Sequence, residues 1–288
     1  MQNTKSRFLF EQLDLRGELV ELDSVLGEIN AIHAYPAGVS QLLGEFVAAS
    51  VLIASTLKFR GSLTVQARSK AQIPLIMAEC SNELQVRAIA RGAQEATATD
   101  FQQLLGGGQL VLTVTPERGN RYQGIVPLSA SSLAHSIDHY FSQSEQLQSQ
   151  LYLASDGSKA CGMLLQQLPA QLETDPKRRA DDWERITALA GTLTSDELLS
   201  IDKPTLLHRL FHEESVRLFE PQSVEFRCSC SQDRTLAALA TVGEAEIRDI
   251  LKEQGTVTMD CEFCNQRYRF REEELRGLLS TAGEQPLH

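Results

Sequence analysis

The sequence predicts an α+β protein with a large mixed sheet-and-helix domain, a helical linker and a small C-terminal module. Three observations carry this prediction. Strand-like runs follow one another between residues 61 and 126, separated by turn residues. Helical periodicity flanks these runs on both sides. Four of the six cysteines fall in two close pairs near the C-terminus, which sets that end of the chain apart.

We assign residues 1–175 to the first domain, an α+β core. A short alternating run at 19–22 predicts a strand, and apolar residues spaced by three and four at 39–57 predict a long buried helix. The other expected elements are strands at 63–67, 73–78, 84–90, 110–115 and 122–126 and helices at 131–146 and 161–172.

Residues 176–220 form the expected helical linker. Thr194 with Glu197 fits a capping box, and Pro204 fits the first turn of a further helix. Leucine and phenylalanine side chains between 206 and 219 give this segment more apolar surface than it can bury alone. We therefore expect the segment to lie against a neighbour or to fold conditionally. The sole tryptophan, Trp183, lies here and would report linker unfolding by fluorescence.

Residues 221–288 form the expected cysteine-bearing module. Helices are predicted at 235–241, 244–252 and 272–279. Runs at 256–259 and 267–270 are expected to pair as a hairpin whose turn carries Cys261 and Cys264.

Composition limits the function classes. The chain has 288 residues, a net charge of -11 and a pI of about 5.1, and such acidity argues against general nucleic-acid binding. Neither a signal peptide nor a membrane span is expected from the sequence, so we expect a cytoplasmic protein. In a reducing compartment, six cysteines are not expected to form permanent disulfides.

The cysteine spacing predicts one zinc ion bound by Cys228, Cys230, Cys261 and Cys264. A Cys-x-Cys pair is followed after thirty residues by a Cys-x-x-Cys pair, and two close pairs can converge on one tetrahedral ion. Zinc suits four thiolates because it is borderline-soft and imposes no geometric preference. A static structural zinc and a redox-sensitive zinc both fit this spacing. Nearby arginines (Arg227, Arg234, Arg267 and Arg269) could moderate the charge of the site.

Two other function classes are weighed against this interpretation. A zinc-ribbon nucleic-acid-binding regulator is the main alternative, but residues 221–288 carry 8 Lys plus Arg against 12 Asp plus Glu, a net charge of -4. An enzyme is not expected: four sulfurs would close the zinc coordination shell, and a thioredoxin-like Cys-x-x-Cys would start a helix after a strand.

The chain also resembles a known family, the 33 kDa chaperonins, which are bacterial redox-regulated heat shock proteins. The resemblance covers nearly the whole chain, and the two cysteine pairs are its most specific part. Supporting segments are RGELV at 16–20, HAYP at 33–36, QGIVPL at 123–128, YFSQSEQ at 140–146, GMLLQ at 162–166 and LHRLF at 207–211.

The resemblance implies an ATP-independent holdase of the stress response that is inactive when reduced and zinc-bound. It implies that oxidants form disulfides Cys228–Cys230 and Cys261–Cys264, that zinc is released, and that the C-terminal module and linker unfold. The active form would then bind unfolding client proteins and dimerise, with no nucleic-acid or membrane partner. Cys80 and Cys161 lie outside the motif, and we expect them to be small core residues.

Overall fold

The computed structural model of this chain describes residues 3–57, 60–144 and 147–279. It divides into two compact units, unit 1 (Met1–Arg227) and unit 2 (Cys228–His288). Sheets and helices segregate as expected for an α+β protein, so the predicted fold class is confirmed.

Unit 1 carries most of the secondary structure. Its elements, in chain order, are β1 (Thr4–Phe10), β2 (Leu15–Leu22), α1 (Ser24–Ile32), α2 (Ala37–Ala54), β3 (Gly61–Arg68), β4 (Leu75–Ser81), β5 (Gln85–Arg91), α3 (Phe101–Leu105), β6 (Gln109–Pro116), β7 (Tyr122–Pro127), α4 (Leu133–Ser144), β8 (Ser149–Ser155), β9 (Ala160–Gln167), α5 (Pro176–Ala190), α6 (Ser195–Ser200), α7 (Lys203–Phe211), β10 (Val216–Leu218), β11 (Gln222–Ser223) and β12 (Glu225–Phe226). The strands predicted from 63 to 126 are confirmed as β3 to β7, with shifts of a few residues at their ends.

The strands of unit 1 form two sheets. The first sheet has the order β10-β1-β2-β9-β8, with β11 also pairing with β1, and all of its pairs are antiparallel. The second sheet has the order β12-β5-β4-β3-β6-β7, in which only β12 pairs in parallel with its neighbour. Many of these pairs join distant parts of the chain, such as Arg16 with Gln166 across β2 and β9.

Helix α2 packs against strands of both sheets and forms the centre of the larger hydrophobic core. Its 18 residues are apolar enough to match a membrane span by length and composition, but 72% of that stretch is buried inside the protein. Gly44 permits its close approach to β8, because a Cβ there would lie 2.3 Å from the Ser155 hydroxyl. The helix predicted at 39–57 is confirmed as this core helix.

Helices α5, α6 and α7 belong to the expected linker and pack against the first sheet. The predicted capping box at Thr194 is present, and Pro204 lies in the first turn of α7. The buried residues of this second core are Phe8, Phe10, Leu15, Leu19, Ala154, Cys161, Met163, Leu165, Ile186, Ala190, Leu198, Leu206, Leu207, Leu210 and Phe211. The apolar side chains of the segment are therefore covered by a neighbour, as predicted.

The helix predicted at 161–172 is wrong, because this stretch contains the central strand β9. Nearly every residue of β9 is buried, since α2 covers one face of the first sheet and the linker helices cover the other. A strand buried on both faces shows no polar alternation, so its sequence resembles that of a buried helix. The helix predicted at 131–146 is α4, and residues 145 and 146 lie outside the described part of the chain.

Unit 2 contains α8 (Gln232–Leu239), α9 (Glu244–Gln254), β13 (Val257–Asp260), β14 (Arg267–Phe270) and α10 (Glu272–Leu279). Strands β13 and β14 form the predicted hairpin. A small core holds the unit together, and its buried members are Leu239, Ile247, Val257, Phe270, Leu275 and Leu279. Every candidate zinc ligand lies in this unit.

Candidate metal centre

Two local structures of unit 2 present the four cysteines. Cys228 and Cys230 lie in the extended segment before α8, whose N-terminus is capped by the Ser231 hydroxyl accepting from the Arg234 amide. Cys261 and Cys264 lie in the turn between β13 and β14.

Backbone hydrogen bonds close that turn tightly. The Cys261 carbonyl accepts from the amides of Cys264 (3.3 Å) and Asn265 (2.7 Å), and the Cys261 amide donates to the Gln266 carbonyl (2.9 Å). Asn265 has a φ of 55°, a left-handed conformation that asparagine tolerates better than most residues. The turn thereby directs two thiols of one short segment toward a common point.

The four sulfurs form one cluster. All four Sγ atoms lie within 4.8 Å of one another, with 3.6 Å between Cys228 and Cys261 and 3.5 Å between Cys230 and Cys264. Sulfurs bound about 2.3 Å from one tetrahedral zinc ion would lie roughly 3.7 Å apart. The sulfur spacing therefore fits a four-thiolate zinc site, and it is well above the ~2.05 Å of a disulfide bond. In the described part of the chain this is the one group of three or more potential metal ligands that is close enough to share an ion.

Tyr268 on β14 is a contact of this cluster that the sequence did not single out. Its hydroxyl donates to the Cys230 sulfur over 3.1 Å. Partial burial raises the pKa of the Cys230 thiol, but this hydrogen bond and those from the neighbouring thiols outweigh burial and lower the pKa. For Cys264, burial raises the pKa and the adjacent thiols raise it further. Of these two thiols, Cys230 is therefore the one whose thiolate form is favoured.

The nearby arginines mostly contact other groups. Arg267 forms a two-pronged ion pair with Asp260, at 2.7 and 2.9 Å, and Arg234 donates to the carbonyl and hydroxyl oxygens of Ser229. The guanidinium of Arg227, in unit 1, lies 3.9 Å from the Glu225 carboxylate. Because the Arg267 guanidinium is already paired with the Asp260 carboxylate, it is less available to bind a phosphate group.

Cys80 and Cys161 lie in the two cores of unit 1, as expected for small apolar residues. Burial raises the pKa of each thiol to about 12. Because the thiolate is the reactive form, both cysteines are poor targets for oxidants at neutral pH while unit 1 stays folded.

Comparison with known proteins places the chain among chaperonins. The sequence profile described as "Hsp33 protein" matches residues 3–271. A protein of Pseudomonas paraeruginosa named 33 kDa chaperonin is 49% identical over 282 residues, covering 97% of this chain and 95% of the relative. Another of that name, from Ectopseudomonas mendocina, is 46% identical over 288 residues, covering 99% and 98%.

The fold agrees with a solved structure. The crystal structure of a 33 kDa chaperonin (heat shock protein 33 homolog) from Thermotoga maritima matches with a TM-score of 0.81 and 24% identity. The match covers 96% of this chain and 98% of that one. These relatives carry chaperonin names, so the zinc-ribbon nucleic-acid-binding alternative is not favoured.

Proposed function

Because this chain belongs to the Hsp33 protein family, whose curated members are named 33 kDa chaperonins, we propose that it is a redox-regulated, ATP-independent holdase. In this proposal the reduced, zinc-bound protein is inactive, and oxidation converts it into a form that binds unfolding proteins. The proposed redox regulation is supported by one observation: four thiols cluster in unit 2, which has only a small core of its own.

The cluster would hold one zinc ion through Cys228, Cys230, Cys261 and Cys264. When bound, zinc would keep the four thiolates together and stabilise the folded form of unit 2 by about 10–16 kcal/mol. A core in a chain of fewer than about 70–80 residues rarely supplies more than about 3–5 kcal/mol. Unit 2 therefore depends on its thiolates being available, and their oxidation is expected to unfold it.

The oxidation step is a two-electron reaction for each disulfide. One thiolate attacks the O–O bond of hydrogen peroxide, giving a sulfenic acid and hydroxide. A second thiolate attacks that sulfur and displaces another hydroxide, so each peroxide yields one disulfide. In the zinc-bound form all four sulfurs are thiolates, which is the form that oxidants attack.

The proposed disulfides are Cys228–Cys230 and Cys261–Cys264. In the reduced protein all four Sγ atoms lie within 4.8 Å of one another, with 3.6 Å between Cys228 and Cys261 and 3.5 Å between Cys230 and Cys264. Each pair of sulfurs must therefore move closer, to the ~2.05 Å of a disulfide bond. Such movement is consistent with loss of the folded turn during activation.

Unfolding of unit 2 is proposed to release the linker. We divide the chain into a core (1–175), a metastable linker (176–220) and a redox-switch domain (221–288). Packing of α5 to α7 on the first sheet supports this, because undocking would expose the apolar faces of both partners, including Phe8, Phe10 and Phe211. Exposed apolar surface of this extent binds unfolded chains, since burying it again is favourable.

The proposed partners are unfolded or partly folded client proteins and, in the active form, a second copy of the chain. No nucleic acid, membrane or catalytic residue is assigned, and the proposed location is the cytoplasm.

The experiment compares the wild-type chain with the double variant C261S/C264S. Zinc content is measured after purification, and disulfides are mapped by mass spectrometry after peroxide treatment. The proposal predicts one zinc ion per wild-type chain and the two near-neighbour disulfides. The variant is expected to lose the zinc ion and the Cys261–Cys264 disulfide. Unchanged zinc content and unchanged oxidant response in the variant would place the switch elsewhere.

A further inference from the structure

One face of the first sheet carries charged residues where the other carries the aromatic core. Along β1 the side chains of Lys5, Arg7 and Leu9 alternate with those of Phe8 and Phe10, which pack under the linker helices. The register places Leu9 opposite Arg16 and Arg7 opposite Glu18 on β2. The charged groups therefore share the face that points away from the linker.

Positive charge exceeds negative charge on this face. Glu18, 1% exposed, accepts from Arg7 at 2.8 Å and lies 2.9 Å from the ammonium of Lys5, which is 4% exposed. The single carboxylate of Glu18 is thus paired with two cations, Lys5 and Arg7. Arg16 adds a third cation, and in the described part of the chain its hydrogen-bond partner is the neutral amide oxygen of Gln166.

Arg16 is held firmly in this position. Its Nε and Nη2 both donate to Gln166 Oε1, at 3.0 and 2.5 Å, and the Gln166 amide nitrogen donates to the Ser149 hydroxyl at 3.0 Å. Burial lowers the pKa of Arg16, the nearby charge of Arg7 lowers it further, and the Glu18 carboxylate raises it by less than Arg7 lowers it. The repulsion between the two guanidinium groups is thus only partly offset by Glu18, and a further anion beside them would reduce it.

A cavity of about 570 Å³ opens above these cations. Its lining combines the apolar side chains of Leu9, Leu168 and Phe219 with the cations Lys5, Arg7 and Arg16. Glu220, which is exposed, also lies on its lining, so three cations stand against the two carboxylates of Glu18 and Glu220. This volume is in the range of small-molecule sites, which combine apolar walls with a few placed polar groups.

We propose that this cavity binds a small amphiphilic anion, a carboxylate or phosphate monoester with a short apolar body, through Arg16 and Arg7. One edge of the planar Arg16 guanidinium, Nε and Nη2, donates to Gln166. Its remaining N–H groups can donate to an oxyanion. The apolar body would lie against Leu9, Leu168 and Phe219. All of these residues lie in unit 1, whereas the cysteine cluster lies in unit 2. Phe219 belongs to the proposed linker, so the complete cavity is a feature of the reduced protein with its linker docked.

The test is isothermal titration calorimetry of the full, reduced chain, which measures the binding of four probes: octanoate, octyl phosphate, octanol and inorganic phosphate. The proposal predicts that octanoate, octyl phosphate or both bind. The tighter binder shows whether the cavity prefers a carboxylate or a phosphate group. Octanol and inorganic phosphate are expected to bind at least tenfold more weakly, because octanol lacks the anionic group and inorganic phosphate lacks the apolar body.

Variants locate the site. R16Q and R7Q are each expected to weaken binding of the organic anion at least tenfold, whereas R121Q, an exposed arginine in the β6–β7 turn, leaves it unchanged. R7Q keeps the test decisive if R16Q fails to fold, since the Arg7 side chain is 42% exposed. Absence of binding by both organic anions, equal binding of octanol, or unchanged binding in both variants would overturn the proposal.

Discussion

Replacement of Phe211 by alanine tests the link between linker docking and activity. The Phe211 side chain is 2% exposed at the end of α7, and its ring lies 5.1 Å from that of Phe10 and 6.4 Å from that of Phe8. These contacts join the linker to the first sheet. They exist only while the linker is docked, so the substitution acts on the docking equilibrium.

The expected size of the effect follows from the burial. Truncation of a buried phenylalanine to alanine costs about 3–5 kcal/mol. At about 1.4 kcal/mol for each factor of ten, F211A shifts docking by roughly a hundredfold to a few thousandfold. A shift of this size is expected to populate the undocked linker without oxidation, so reduced, zinc-bound F211A should suppress client aggregation.

Two measurements follow the change in F211A. Tryptophan fluorescence reports undocking through Trp183, which packs against the same cluster, and light scattering of a heat-unfolding client reports activity. The matched control is L189A, since Leu189 lies in the same segment but is 37% exposed and its loss should change stability by less than about 0.5 kcal/mol. Undocking of F211A without any gain of activity would refute the reasoning.

Three further predictions address zinc, the cluster and pH. A strong chelator added to the reduced protein is expected to abolish the helical circular-dichroism signal of unit 2 while unit 1 still melts cooperatively; an unchanged spectrum would contradict the dependence of unit 2 on zinc. Y268F removes the hydroxyl bonded to Cys230 and should weaken zinc binding about tenfold, as loss of an outer-shell partner does; competition with a zinc indicator measures this, and Y122F, at an exposed tyrosine, serves as the control. Burial raises the pKa of Asp138 to about 7, so its stabilising contribution is complete below the usual aspartate pKa and is lost as pH rises through about 7. D138N can still accept the Leu151 amide and should flatten the fall in melting temperature between about pH 4 and 7. An unaltered pH profile would exclude this role.

The candidate zinc site was predictable because its determinants are local in sequence. Each cysteine pair spans a few residues, and strands of the right length flank the second pair. The long helix α2 was predictable because its apolar spacing persists over many turns. These features depend on the spacing of residues along the chain rather than on distant partners.

Contacts between distant segments were not predictable from this sequence alone. The misassigned strand β9 is buried on both faces, so its side chains carry no alternation that marks a strand. Tyr268 occupies an ordinary position in a strand pattern, and nothing in its neighbourhood signals a contact with Cys230, 38 residues away. The cationic face depends on the pairing of Arg16 with Gln166, which lies 150 residues away.

The most direct test of the redox switch is light scattering from a heat-unfolding client protein with this chain added reduced with zinc, oxidised by peroxide, or oxidised and then reduced again with zinc. The proposed function predicts suppression of aggregation by the oxidised form, none by the reduced form, and loss of suppression after reduction. Equal suppression by all three preparations, or by none, would contradict the switch and leave the four thiolates as a structural zinc site.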